Sequence, residues 1–219
     1  MGRNVIPLSP ELRDYIVAHG TPPDEILRDL AEETYAALPG AAGMQIGPDQ
    51  TSFMWLLTKI IGVRNAVEVG TFTGMSSLAV ARGMEPGGKL ICFDVSEEYT
   101  AIAKRYWERA GLADNIELRI GDAREGLKQL PSEPHLDLVF IDADKEGYET
   151  YWGELVPRMR PGGVLLMDNT LWSGRVVEEN PEEESTRALK RFNDVAAADD
   201  RVDVVMLPIG DGVTVARKR

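Results

Sequence analysis

The sequence predicts an α/β protein built on one seven-stranded sheet, five parallel strands closed by an antiparallel hairpin, with helices on both faces and extra helices at the N-terminus. Three observations predict it. Apolar runs of strand length alternate with helical patterns between Ala66 and Met167, the signature of parallel strands joined by crossover helices. The first run passes straight into the turn G-T-F-T-G (Gly70–Gly74) and a small-residue helix, the geometry of a ligand crevice at a sheet edge. The last two runs, Val202–Pro208 and Gly212–Arg217, are joined only by Ile209-Gly210-Asp211, which permits a hairpin and no crossover.

Taken in order, Met1–Pro10 reads as a flexible arm. Helices are expected over Glu11–Ala18 and Pro23–Leu38, parted by G-T-P-P. Their apolar faces (Leu12, Tyr15, Ile16; Ile26, Leu27, Leu30, Tyr35) require cover, from the main body or from a second subunit. Pro39–Pro48 is a glycine-rich loop. Asp49–Ile61 is a helix, with Phe53, Leu56, Leu57 and Ile60 at helical spacing. Strands follow at Ala66–Val69, Lys89–Asp94, Asn115–Ile120, Leu136–Ile141 and Gly163–Met167. Between them lie helices near Gly74–Arg82, Glu97–Ala110, Ala123–Gln129 and Tyr148–Val156. Ser96 suits an N-cap, Glu97 and Glu98 its first turn, and Gly111 its stop. Tyr99, Ile102, Ala103 and Tyr106 share one face. Glu178–Ser185 is an acidic loop, and a last helix carries Leu189, Phe192 and Ala196 on one side. The 219 residues fit one domain, 1–219, with 1–48 as a helical cap.

Bulk properties exclude several functions. A net charge of −12 argues against nucleic acid as the main partner, because phosphate binding needs a basic stripe. The lone cysteine, Cys92, excludes an internal disulfide and a cysteine metal cluster. There is no apolar leader and no run of membrane-span length, so the expectation is a cytoplasmic protein with no membrane partner.

Open α/β sheets bind ligands outside the carboxyl ends of their strands. Five acidic or polar strand ends converge there. Glu68 stands one residue from the end of the first strand, where a carboxylate is costly unless paired. A cationic ligand would pair it and a pyrophosphate would be repelled; a fold-supporting turn with backbone donors is the other reading. Asp94, ending the second strand, suits a ribose diol of any nucleotide-like ligand. Gly121-Asp122-Ala123 ends the third. Asp142, Asp168 and Asn169 end the fourth and fifth, and as hard oxygen donors they suit Mg²⁺, Ca²⁺ or Mn²⁺. A helix-capping Asp and a turn Asp-Asn pair would also explain them. Lys145 is the candidate general base, since a nearby cation lowers a lysine pKa and acidifies a bound hydroxyl. Its alternative is a surface lysine paired with Glu146 or Asp144. His19 and His135 are poorly placed, and Ser76 and Ser77 lack a nucleophile-elbow context. Tyr148 and Trp152 read as core. Trp172, in a loop after Asn169, suits a pocket wall.

With these residues on the page, the chain resembles the metal-dependent class I O-methyltransferases, the caffeoyl-CoA and catechol O-methyltransferases and their bacterial relatives. The resemblance runs from about Leu8 to Ala216 and is carried by A-V-E-V-G-T-F-T-G-M-S-S, F-I-D-A-D-K and L-L-M-D-N-T-L-W-S-G. It implies a Rossmann-like seven-stranded class I methyltransferase sheet and a homodimer whose N-terminal helices shape the substrate entrance. It implies that Glu68, Gly70, Thr71 and Ser76 contact S-adenosyl-L-methionine, with Asp94 on its ribose, the Ala123 backbone on its adenine, the loop at Met44 and Ile46 over it, and Asp142 beside it. Asp142, Asp168 and Asn169 would bind a divalent cation, Mg²⁺ first, and Lys145, with Asp142, would serve the chemistry by taking the phenolic proton. Trp172 and Ser173 would face the acceptor. The plant caffeoyl-CoA enzymes carry asparagine at the position of Ser173 and a lysine near that of Asn4, so a smaller phenolic acceptor of catechol type is expected here. The competing expectations are an NAD(P)-dependent oxidoreductase, disfavoured by Glu68 and the hairpin, and a non-catalytic S-adenosylmethionine-binding dimer.

Overall fold

The computed structural model describes residues 6–219. Asn4, and with it half of the expected arm, lies outside the described residues. Three helices lead: α1 (Pro10–Ala18), α2 (Glu25–Ala37) and α3 (Pro48–Ile61). Ser9 and Asp24 cap the first two by accepting from Leu12 N and Leu27 N, and Pro48 opens the third, where its missing N–H costs nothing. The alternating part follows as β1 (Asn65–Val69), α4 (Met75–Gly83), β2 (Lys89–Asp94), α5 (Glu97–Arg109), β3 (Ile116–Ile120), α6 (Ala123–Leu127), β4 (Leu136–Ile141), α7 (Tyr148–Leu155) and β5 (Met159–Met167). Helix α8 (Glu184–Ala198) and the hairpin β6 (Val202–Leu207) and β7 (Val213–Lys218) complete the chain.

The sheet order is β3-β2-β1-β4-β5-β7-β6, with β1 to β5 parallel and β7 antiparallel to both β5 and β6. The order reverses between β1 and β4, the place where an open sheet leaves a crevice. Register then determines what stands in it. Val69 is level with Phe93 and Ile141, and Ile141 with Met167. Gly70, Asp94, Asp142 and Asp168 therefore leave the sheet side by side.

Strand side chains alternate between two apolar layers. Ala66, Leu90, Cys92 and Phe140 face α2 to α5, while Val67, Val69, Val139 and Ile141 face α6, α7 and α8. Glu68 falls on the first face, among apolar neighbours. No helix among the described residues is long and apolar enough to cross a membrane.

Two expectations need correction. Strand β5 starts at Met159 rather than Gly163. Its Pro161-Gly162-Gly163 looks like a break, but a register shift opposite Leu136–Leu138 absorbs it, and Arg160 pairs with Asp137. The face of α3 turned inward carries Gln50, Thr51, Met54 and Thr58, whereas Leu56 and Ile60 are exposed. Apolar residues surround this helix, so spacing alone could not choose its buried side. Gly74 serves helix–helix packing: a Cβ there would meet Ala103 Cβ of α5 at 2.7 Å. Gly70 yields to protein as much as to ligand, since a Cβ would sit 1.9 Å from the Asp142 carbonyl oxygen. As for the cap, Leu27 and Leu30 are buried on the main body, but Tyr15, Ile16 and Tyr35 stay exposed.

Candidate active site

One cavity of about 1080 Å³ opens along the carboxyl edge of the sheet. Met44, Ile46, Gly70, Thr71, Ser76, Asp94, Ala123, Asp142, Lys145, Asp168, Asn169, Trp172 and Ser173 all line it. Of the predicted site residues only Glu68 does not; it lies directly behind the glycine turn.

The turn is built around Asp94. Its Oδ2 accepts from the Thr71 and Phe72 amides at 2.9 and 2.8 Å, and its Oδ1 from Ser96 N at 2.8 Å. Phe72 pays for that geometry with a left-handed backbone, φ +52°, and its ring meets Tyr99 edge-on at 5.0 Å on the cavity wall. Asp94 thus organises the turn first, and only its remaining lone pairs face the cavity. Glu68 is fully buried with neither carboxylate oxygen hydrogen-bonded. Burial pushes its pKa well up, more than the Ser76 and Thr71 hydroxyls offset, and the charges of Asp94 and Asp142 add to the shift. An ionised carboxylate so placed costs several kcal/mol unless a cation arrives, the order expected for an uncompensated buried charge.

A lid crosses this end. Gln45, between Met44 and Ile46, donates from Nε2 to Thr34 Oγ1 at 3.1 Å and Thr73 Oγ1 at 3.0 Å. Thr34 in turn donates to Thr73 at 3.0 Å, so one side chain ties the loop to α2 and to the glycine turn.

At the other end, Lys145 is 7% exposed. Its Nζ donates to Asn169 Oδ1 at 2.7 Å, Tyr148 OH at 2.8 Å and Asp142 Oδ1 at 3.0 Å. It is no surface lysine and pairs with neither Glu146 nor Asp144; Asp144 instead holds Arg124 and takes the Tyr151 hydroxyl at 2.5 Å. Asp168 is 2% exposed and accepts from Gln50 Nε2 at 2.8 Å and from the Asn169 amide at 2.7 Å. Burial raises its pKa to about 7, helped by the charge of Asp142 and opposed by Gln50. Asn169 reaches Lys145 from a left-handed backbone, φ +54°, and Trp172 and Ser173 follow at φ +47° and +53°. Trp172 is pinned from outside by Glu183 of the acidic loop, which accepts from Nε1 at 3.2 Å.

A divalent cation fits here. No three His, Cys, Asp or Glu side chains converge as a metal group among the described residues; the hard oxygens this cluster offers are those of Asp142, Asp168 and Asn169. The Lys145 ammonium already bridges Asp142 and Asn169 as a stand-in cation, and Asp168 sits beside them, buried and close to the charge of Asp142. Sequence reading missed Gln50, Arg13, Tyr99 and the hydroxyl role of Tyr148. Gln50 alone carried a signal, as a polar residue in the first turn of an apolar helix; Tyr148 is core, as expected, and also holds Lys145.

A family model described as O-methyltransferase matches residues 18–219. A Petunia hybrida protein named caffeoyl-CoA O-methyltransferase 2 is 36% identical over 185 residues, covering 80% of this chain and 76% of its own. An Arabidopsis thaliana protein named caffeoyl-CoA O-methyltransferase 1 is 33% identical over 230 residues, covering 100% and 88%. The O-methyltransferase from Bacillus cereus, solved in complex with SAH, superposes with a TM-score of 0.87 at 31% identity, covering 95% of this chain and 97% of the other.

Proposed function

This chain belongs to the O-methyltransferase family, and on that premise we propose that it carries a methyl group from S-adenosyl-L-methionine to one hydroxyl of a vicinal dihydroxy aromatic, with a divalent cation in the site. The Bacillus cereus relative was solved with SAH, the donor after methyl loss, which supports S-adenosyl-L-methionine as the ligand of this crevice. The observation that carries the reading is the Lys145 ammonium held between Asp142 Oδ1 and Asn169 Oδ1 beside buried Asp168. Cation donors and a general base meet there within one hydrogen-bonded cluster.

The residues divide the work. Ser76 and Thr71 line the cavity in front of buried Glu68, and they receive the cationic amino-acid end of the donor with that carboxylate behind them. Asp94 takes the ribose, the Ala123 backbone the adenine, and the loop at Met44 and Ile46 covers the ligand. Asp142, Asp168 and Asn169 would hold the cation, Mg²⁺ by their hard oxygens, with Ca²⁺ or Mn²⁺ as alternatives. When bound, the cation supplies a Lewis acid that lowers the acceptor hydroxyl pKa, and the donor supplies a methyl group on a sulfonium. Lys145, as the neutral amine once one ammonium proton has passed to water, receives the hydroxyl proton at Nζ, and Tyr148 OH, donating to the Asp168 carbonyl at 3.0 Å, steadies it. Trp172 and Ser173 align the ring. Charge is lost as the methyl moves, so positioning and exclusion of water by the loop contribute most.

The exposed Tyr15, Ile16, Tyr35, Leu56 and Ile60 of the N-terminal helices support a homodimer. Ser173, at the position where the plant caffeoyl-CoA enzymes carry asparagine, and the −12 charge favour a small diol over a CoA ester. The test is methyl transfer to catechols, flavonoids and caffeoyl esters, with Mg²⁺ and with excess chelator. Metal-dependent methylation of vicinal diols and not of monophenols is the expected result; chelator-insensitive turnover would sink the cation assignment.

A further inference from the structure

Three basic side chains line the cavity: Arg13, Arg124 and Lys145. Two are committed. Arg124 is held by Asp144 and Asp122, and Lys145 donates to all three of its partners. Arg13, on α1, donates no side-chain hydrogen bond to any described residue. Its nearest carboxylate is Asp49, at 3.8 Å and beyond hydrogen-bond reach, and its side chain is 54% exposed. A guanidinium with its donors free, on the wall of an acidic crevice, can take a ligand oxygen pair.

Its place along the cavity follows from α3. Arg13 Nη2 lies over Gly47, 2.9 Å from where a Cβ would be. Gln50, three residues on, reaches Asp168 at 2.8 Å. Residues three apart on a helix are about 5–6 Å apart, and the Gln50 side chain adds its own length. Arg13 therefore stands on the Gly47–Gln50 side of the cavity, the side from which Gln50 reaches Asp168. Asp49 beside it tolerates a singly charged tail better than a dianion.

Resting on the reaction proposed above, we infer that Arg13 is a specificity-determining residue that selects dihydroxy aromatics bearing a carboxylate on a short side chain. The planar carboxylate matches the guanidinium fork, and with the diol at the strand ends it pins the acceptor at two points.

The experiment measures binding, separately from turnover. 3,4-Dihydroxycinnamate and its neutral primary amide are titrated by calorimetry into protein loaded with SAH and Mg²⁺. Wild type is expected to prefer the carboxylate. Arg13→Ala lowers that preference about tenfold, Arg13→Lys keeps part of it, and Arg13→Glu reverses it. Equal binding of the two probes by wild type, or an unchanged preference in Arg13→Ala, overturns the role of Arg13 and leaves the reaction intact. Binding of neither probe overturns both, so the two failures are told apart.

Discussion

The amide of Gln50 donates to Asp168 Oδ2 at 2.8 Å, joining the first turn of α3 to the end of β5 across 118 residues. That bond holds the strand-five carboxylate against the cap helices and leaves Asp168 little room to reorient. Its charge then has few ways to be met: Lys145, or a cation in the cluster. Replacing Asp168 by Ala is expected to lower kcat at least about a hundredfold and to abolish the response to added Mg²⁺, checked by initial rates across a metal titration. A variant with full, metal-responsive activity would contradict the cation set.

Lys145→Ala is expected to reduce kcat by about 10²- to 10⁴-fold, the usual range for a general base. Donor affinity, measured by calorimetry with S-adenosyl-L-methionine, should change little, because Lys145 touches Asp142, Asn169 and Tyr148 rather than the glycine turn. Loss of donor binding would instead make it a support of the donor end.

Gln45→Ala removes the two bonds that close the loop over the crevice. Buried Thr34 and Thr73 keep each other but lose their shared donor. The donor Kd is expected to rise about five- to tenfold, with faster proteolytic cutting near Met44. Unchanged donor affinity would show that the loop closes without Gln45.

Gly70→Ala combines a left-handed backbone, φ +89°, with a Cβ 1.9 Å from the Asp142 carbonyl oxygen. The strands cannot part there without moving Asp142. A loss of about 3 kcal/mol or more is expected in denaturant unfolding, a size reserved for such backbone clashes.

Asp199 provides the pH test. Arg201, and then Trp152 Nε1 donating at 2.8 Å, hold its carboxyl far below the usual range. A depressed folded pKa stabilises above the unfolded value of about 3.9 and is lost as pH falls below it. Asp199→Asn should therefore cost on the order of 1 kcal/mol at neutral pH and progressively less as pH drops below about 4, as measured by urea melts at several pH values.

Much of this was legible in the chain because it is local. Alternation gave the strands, Ser96 its helix, and the three-residue link its hairpin. The carboxylate in A-V-E-V-G stood out because it broke an apolar run, and its unpaired burial agrees with that. Asp142, Asp168 and Asn169 could be grouped because strand ends gather at one edge whatever their separation. Arg13, Gln50 and Tyr99 could not. They reach the cavity from helices whose docking depends on side-chain packing, and nothing local links position 50 to position 168. The buried side of α3 was hidden for the same reason, since its polar Thr51 and Thr58 turned inward while Leu56 and Ile60 did not.

The cavity draws its two ends from separate stretches of chain. Asp94, the glycine turn and Ala123 furnish one end; Arg13, Gly47 and Gln50, with Trp172 and Ser173, furnish the other. A chain built this way can change its acceptor by revising Arg13 and the turn after Asn169 while keeping the donor end, with the Gln45 tie over it, intact. Any such revision has to keep Gln50, whose bond to Asp168 ties the helical side of the cavity to the end of β5.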